Sequence, residues 1–336
     1  MGLFLSIFFG FVPMFIFAAF AYWLDRYEKE PRMLLGGVFI WGAVIAAGVA
    51  FLVNTGLGMG VYLFTQSDVA TELTTGSLIA PIVEETLKGL GVLLVFLLFR
   101  REFDSVLDGI IYAGIVAMGF AATENVYYIY NYGFLEDGMS GLFGMVVVRV
   151  LLVGWQHPFY TAFIGIGLAV ARMNRNMLVK FAAPLIGWFV AVSTHALHNT
   201  LASLLHGVVG RTVGLAWDWA GWLFMFLFIV YMIDREQKTL SSHLAEEVGL
   251  GTINSQQYQI ACSARSQTSA RFEALSRGQY RDTSRFYQLC GELSHKKNQL
   301  ARMGDEGGNL RIIQALRSEL SELSARLSGV AAQSVS

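Results

Sequence analysis

Four polar groupings stand inside stretches of this chain that are otherwise apolar: Pro81-Ile-Val-Glu84-Glu85-Thr-Leu-Lys88, Glu124-Asn125, Trp155-Gln-His157-Pro158 and His195-Ala-Leu-His198-Asn199. An ionisable side chain at membrane depth costs at least ~2.5–3.5 kcal/mol on the insertion scale, so each such residue is a functional candidate. Glu84 and Lys88 share one helical face in the orientation that favours an ion pair, and Glu85 is turned about 100° away. A single Glu–Lys pair can serve as structural glue, and a lone buried histidine as a polar contact between helices. Neither reading accounts for a second carboxylate beside the first. Together the groups offer a general base for water and imidazole and amide donors for an oxyanion. They also offer oxygen and nitrogen ligands for a divalent metal, although no His-Glu-x-x-His helix is present. Amide hydrolysis within a membrane is chemically feasible with such a set, with or without metal, and no Gly-x-Ser-x-Gly elbow suggests a serine mechanism.

The elements that must position these groups are membrane helices. Of 336 residues 54% are hydrophobic and 15% charged, against roughly 25% charged in ordinary soluble chains. Apolar stretches long enough to span a bilayer cover 3–24, 34–53, 76–99, 106–130, 143–171, 178–205 and 214–233, the second with room to extend through the glycine-rich stretch from Gly56 to Phe64. Lys and Arg collect in alternate loops: Arg26, Lys29 and Arg32; Arg100 and Arg101; Arg172, Arg175 and Lys180; then Arg235 and Lys238. By the positive-inside rule this places the N-terminus outside and the C-terminal tail in the cytoplasm of a multi-pass plasma-membrane protein. At 1.5 Å per residue Glu84 and Glu124 then lie roughly 12 and 9 Å below the outer surface, and His157 and His195 roughly 15–21 Å. Groups sharing one layer make a polar chamber that opens outward. Arg149 is expected to snorkel to the headgroups, Trp217, Asp218, Trp219 and Trp222 to form an interfacial belt, and Asp104 and Asp108 to be boundary charges.

From Asp234 hydropathy falls. Phe286, Leu289, Leu293 and Leu300, and Ile313, Leu316, Leu320, Leu323 and Leu327, repeat at helical spacing on either side of Gly304-Asp-Glu-Gly-Gly308. This predicts an antiparallel helical hairpin that also offers a seam for self-association or a cytoplasmic partner. Residues 240–270 and 329–336 read as a loose linker and a frayed end. Cys262 and Cys290 match neither a zinc-finger spacing nor a disulfide framework, and no basic face suggests nucleic acid.

These residues resemble the motifs of the PrsW family of intramembrane proteases, which belongs to the clan of CAAX prenyl proteases and bacteriocin-processing enzymes. Asp25-Arg-Tyr-Glu-Lys-Glu-Pro31 is similar to the family's first cytoplasmic loop, and Glu84-Glu85-Thr-Leu-Lys88 to its Glu-Glu-x-x-Lys signature. Phe120-Ala-Ala-Thr-Glu124-Asn125 resembles its Phe-x-x-x-Glu-Asn motif, His157 falls where the third motif places a histidine, and His195-Ala-Leu-His198-Asn199 resembles a closing His-x-x-x-Asn. The resemblance covers about residues 1–233 and implies cleavage of a membrane-anchored protein, an anti-sigma factor in characterised relatives. It implies Glu84 and Glu85 as the water-activating pair, and His157 and His195 as orienting water or binding metal. Glu124, Asn125 and Asn199 would complete the chamber and its oxyanion contacts, with Lys88 and Phe120 in supporting places; His198 matches no motif position and is assigned to packing. A metal, zinc among the candidates, would fall to His157, His195 and Glu85, and a metal-free glutamate mechanism is the other course.

The sequence thus predicts an all-α, polytopic membrane helix bundle of about seven transmembrane helices with a C-terminal cytoplasmic helical hairpin. Its divisions are a protease domain over 1–233, a linker over 234–270 and a helical tail over 271–336. The rival function is a proton- or cation-coupled transporter using the same Glu, His and Lys cluster, against which stands the lack of a visible internal repeat.

Overall fold

The computed structural model describes residues 1–204, 207–305 and 307–333 of the chain. Residue 205 at the end of the expected sixth span, Glu306 in the expected turn and 334–336 of the expected frayed end lie outside the described residues. The described chain is helical, with no strand. It divides into two compact units, one comprising Met1–Leu24, Glu30–Arg172 and Asn176–Phe228, the other Asp25–Lys29, Met173–Arg175 and Ile229–Ser336.

The first unit opens with α1 (Gly2–Leu24) and α2 (Arg32–Thr65), the latter widened by a π turn at Trp41–Ala46. A short helix Asp68–Thr74 and a second π turn, Thr75–Ile79, lead into α3 (Ala80–Leu98), which carries Glu84, Glu85 and Lys88. Pro81 explains this turn: it has no N–H for the carbonyl of Ser77, and its ring crowds that position. Then come α4 (Val106–Tyr128), α5 (Leu135–Val146), α6 (Gln156–Arg172), α7 (Met177–Leu204) and α8 (Gly207–Gly249), whose residues from Ile229 on lie in the second unit. Among the described residues five stretches are long and apolar enough to cross a membrane: Gly2–Leu24, Arg32–Thr65, Val106–Arg172, Met177–Leu204 and Thr212–Gly249. Ala80–Leu98 is helical throughout but is interrupted by its three charges.

Two differences from the sequence reading bear on the site. The expected span over 143–171 is broken, because Val153 leaves helical geometry (φ −125°, ψ 14°) and α6 starts afresh at Gln156, which puts His157 in a first turn. α5 also departs from helical geometry near its start, at Asp137 and at Gly138, whose φ of 62° is a left-handed value that suits glycine. The second stretch, by contrast, does extend through Phe64, to Thr65.

The centre of this unit is α4, where every residue from 103 to 122 is buried. It starts on a capping box: the Ser105 hydroxyl accepts from the Asp108 N–H, and the Asp108 carboxylate accepts from the backbone of Ser105 at 2.6 Å. Asp108 is therefore a buried cap rather than a loose boundary charge. Its neighbours approach through small residues, as membrane helices do in the absence of a hydrophobic drive between them. A Cβ on Gly165 of α6 would fall 1.9 Å from the carbonyl oxygen of Gly109, and one on Gly42 of α2 1.9 Å from that of Val116. Large apolar side chains such as Phe181, Leu185 and Phe189 are left exposed on α7, as a lipid-facing surface requires.

The second unit contains α9 (Ser255–Ala261), α10 (Ala264–Ser276), α11 (Tyr280–Met303) and α12 (Asn309–Gln333). α11 and α12 form the expected hairpin, with Gly304, Gly307 and Gly308 at positive φ in the turn. The segment expected as a loose linker is helical instead: Leu240, Leu244, Ile253 and Ala261 are buried together with Phe286, Leu289, Leu293, Ile313, Leu320 and Leu323. Asn254 closes a capping box with Gln257 at the start of α9, which fixes a helix where composition suggested none. The leucine seam packs within this unit, with Leu300, Leu316 and Leu327 partly buried at its edge.

Candidate active site

α3 brings Glu84, Glu85 and Lys88 to the interior, where all three are buried and Lys88 has no exposure at all. The i, i+4 ion pair that the spacing suggests is the longer one: Lys88 Nζ lies 4.0 Å from Glu84 Oε2 and 2.5 Å from Glu85 Oε1. Lys88 also sits over the ring of Phe120, 4.5 Å from its centroid, and 3.3 Å from His157 Nδ1.

Glu85 is saturated. Besides Lys88 it accepts from Thr161 Oγ1 at 2.8 Å and from His195 Nδ1 at 2.9 Å. Because Nδ1 of His195 must carry the proton to donate to a carboxylate, Nε2 is left as a free acceptor, and it faces Glu84 Oε2 at 3.9 Å. Glu84 receives only the Asn54 amide, at 3.4 Å, and its Oε2 is buried with no hydrogen-bond partner. The neighbouring carboxylates thus stand in opposite conditions, Glu85 fully engaged and Glu84 open.

Glu124 and Asn125 close the other side. Glu124 takes His157 Nε2 at 2.8 Å and an ion pair from Arg149, and Arg149 Nε donates to Asn125 Oδ1 at 3.1 Å, which leaves Asn125 Nδ2 buried without a partner. Arg149 does not snorkel away: two acceptors and the face of Tyr128, 4.4 Å from the guanidinium, hold it at the cluster. The rings of His157 and His195 meet edge to face at 5.3 Å. Glu84, Glu85, Glu124, His157 and His195, from α3, α4, α6 and α7, therefore share one group, with Lys88, Phe120 and Asn125 around it. Asn199 does not join it, because its amide donates to the carbonyl of Gly76 in the π turn at 2.8 Å.

Five contributors escaped the sequence reading. Thr161 lies one turn from His157, and Arg149 and Asp218 are charges in apolar runs, the same signal that marks Glu84 and Lys88. Asn54 and Tyr160 carried no charge to flag them. Asp218 is no belt residue: it has no exposure and accepts from Tyr160 and His198.

As a metal site the group fits. Glu84, His157 and His195 each place a ligand atom within 4.8 Å of the others, the one-carboxylate, two-imidazole donor set common in catalytic zinc centres. Glu84 has an oxygen to spare, and Glu85 stands behind His195 Nδ1 as the carboxylate that orients a ligating histidine. Of the three expected ligands, His157 and His195 belong to this group, and its carboxylate is Glu84 where Glu85 was expected.

A hydrolytic constellation inside an apolar helix bundle defines the class, that of intramembrane peptidases. Residues 30–233 match the model of the PrsW family intramembrane metalloprotease, and the chain belongs to that family. It is similar to "Protease PrsW" of Geobacillus kaustophilus (strain HTA426), 26% identical over 183 residues, 54% of this chain and 74% of the relative. It is also similar to "Protease PrsW" of Clostridioides difficile (strain 630), 26% over 211 residues covering 62% and 77%, and of Bacillus subtilis (strain 168), 23% over 223 residues covering 66% and 88%. No solved structure matches. The chain is thus a multi-pass membrane peptidase, and the transporter reading falls away.

Proposed function

We propose that this protease cuts a single-span, membrane-anchored protein of the anti-sigma-factor kind near the outer leaflet, with its N-terminus outside and its helical tail in the cytoplasm. The single observation that carries the catalytic assignment is the buried, unpartnered Glu84 Oε2 facing the free Nε2 of His195. Water between them would donate a proton to Glu84 and present its oxygen to the scissile carbonyl. Asn125 Nδ2, a buried donor with no partner, and the Arg149 guanidinium are the groups suited to the oxyanion. The proton that Glu84 takes from the water would pass to the leaving amine as the C–N bond breaks, while the hydrogen bond between Glu124 and His157 holds the facing wall of the site. Glu85 acts indirectly: Lys88 and Thr161 fix it, and it fixes the tautomer of His195. A divalent ion, when bound by Glu84, His157 and His195, supplies Lewis-acid polarisation of the carbonyl and a more acidic water.

Comparative proteomics of membrane fractions from cells carrying the wild type or Glu84→Gln tests both activity and substrate. Single-span proteins should accumulate uncut in the variant; identical fragment patterns at equal expression would rule the reading out. With purified protein, a chelator is expected to stop cleavage and zinc to restore it, and full activity after exhaustive chelation would exclude the ion.

A further inference from the structure

Asp218 is a carboxylate in an apolar stretch of α8, wholly buried and unused by the chemistry above. It accepts from the Tyr160 hydroxyl at 2.9 Å and from His198 Nδ1 at 3.0 Å. Each donor is three residues beyond a site imidazole on its own helix, Tyr160 after His157 on α6 and His198 after His195 on α7. α8 is pinned there by its neighbours in sequence: Trp219 Nε1 donates to the carbonyl of Leu152, and a Cβ on Gly221 would lie 2.6 Å from the ring of Phe159. The Tyr160 ring in turn stacks on His195, centroids 4.9 Å apart and planes at 20°.

The bond from Nδ1 to Glu85 sets the tautomer of His195, and the edge of His157 meets its ring, but neither contact covers the face of the imidazole and fixes its plane. The stacked Tyr160 removes this freedom, and Asp218 removes Tyr160's own. The geometry points to Asp218 and Tyr160 as positioning residues that lock the plane of His195, and so aim its Nε2 at the water held by Glu84. The inference rests on the proposed role of that water.

The test is steady-state cleavage, by the protein reconstituted in phospholipid vesicles, of a single-span membrane protein that the wild type cuts. Tyr160→Phe keeps the ring and loses the tether, so kcat per folded enzyme is expected to fall about tenfold with KM within twofold of wild type, the size of effect usual for a lost orienting contact. Asp218→Asn should do the same, the double variant should be no worse than either single one, and Tyr160→Leu, which loses the stack, should be worse than Tyr160→Phe. Wild-type kcat in Tyr160→Phe, a loss confined to KM, or losses that multiply in the double variant would each overturn the inference while leaving the cleavage reaction intact. A wild type that cuts none of the single-span proteins supplied would instead sink the proposed function and this positioning role with it.

Discussion

At the residue scale the site turns on an inequality between two adjacent carboxylates. Glu85 accepts from Lys88, Thr161 and His195, whereas Glu84 keeps an oxygen with no partner. Their substitutions should therefore differ. Glu84→Gln removes the group that meets water and is expected to cost about 10²–10⁴-fold in rate, while Glu85→Gln, which loosens the hold on His195 and weakens the pairing with Lys88 without touching the water, should cost about 10–100-fold. Arg149 makes a further case. With Glu124 it forms a largely buried ion pair, so Arg149→Leu leaves a carboxylate uncompensated and should destabilise the first unit by about 3–5 kcal/mol, read as a lowered melting temperature in detergent. Arg149→Lys, which keeps the charge, should restore most of the stability. The cluster was legible in the sequence because charges in apolar runs are rare. Its inner wiring was not: spacing alone favours Glu84 as the partner of Lys88, and only the side-chain geometry gives Lys88 to Glu85.

At the scale of elements, site precision comes from helices that meet backbone to backbone. The Gly109–Gly165 contact seats α6, which carries His157, Tyr160 and Thr161, on α4, which carries Glu124 and Asn125. Gly165→Leu cannot be accommodated without parting the two helices. It should lower both thermal stability and cleavage, and an unchanged melting temperature would show that the approach is looser than described. Hydropathy made most of the apolar stretches legible, yet it passed over the π turn at Thr75–Ile79 and the break at Val153. Both are local backbone events: one follows from the missing N–H of Pro81, and the other lies in an apolar run whose composition does not change across it. The break matters to function, because it starts α6 one residue before His157 and places that histidine in a first turn.

At the scale of the whole chain, a charged cluster inside an apolar unit accompanies a second unit with its own core. That core takes in Tyr27 from the Asp25–Lys29 segment as well as the hairpin leucines. The hairpin was legible from its leucine spacing. The order of 240–270 was not, because its Ser, Gln and Ala composition resembles a linker and its helices are held by caps and by the company of Phe286 and Leu293 rather than by a strong apolar face of their own. Burial pushes the Cys290 thiol above its ordinary value, which keeps it protonated and unreactive. Iodoacetamide at pH 8 should therefore leave Cys290 unmodified in the folded protein and label it only after the unit unfolds. The central claim, that Glu84 is the carboxylate on which hydrolysis depends, is tested most directly by the initial rate at which reconstituted wild type, Glu84→Gln and Glu85→Gln cut one membrane-anchored substrate. The expected order is wild type, then Glu85→Gln with reduced activity, then Glu84→Gln with none detectable; a Glu84→Gln protein that cuts at or above the rate of Glu85→Gln would contradict the account.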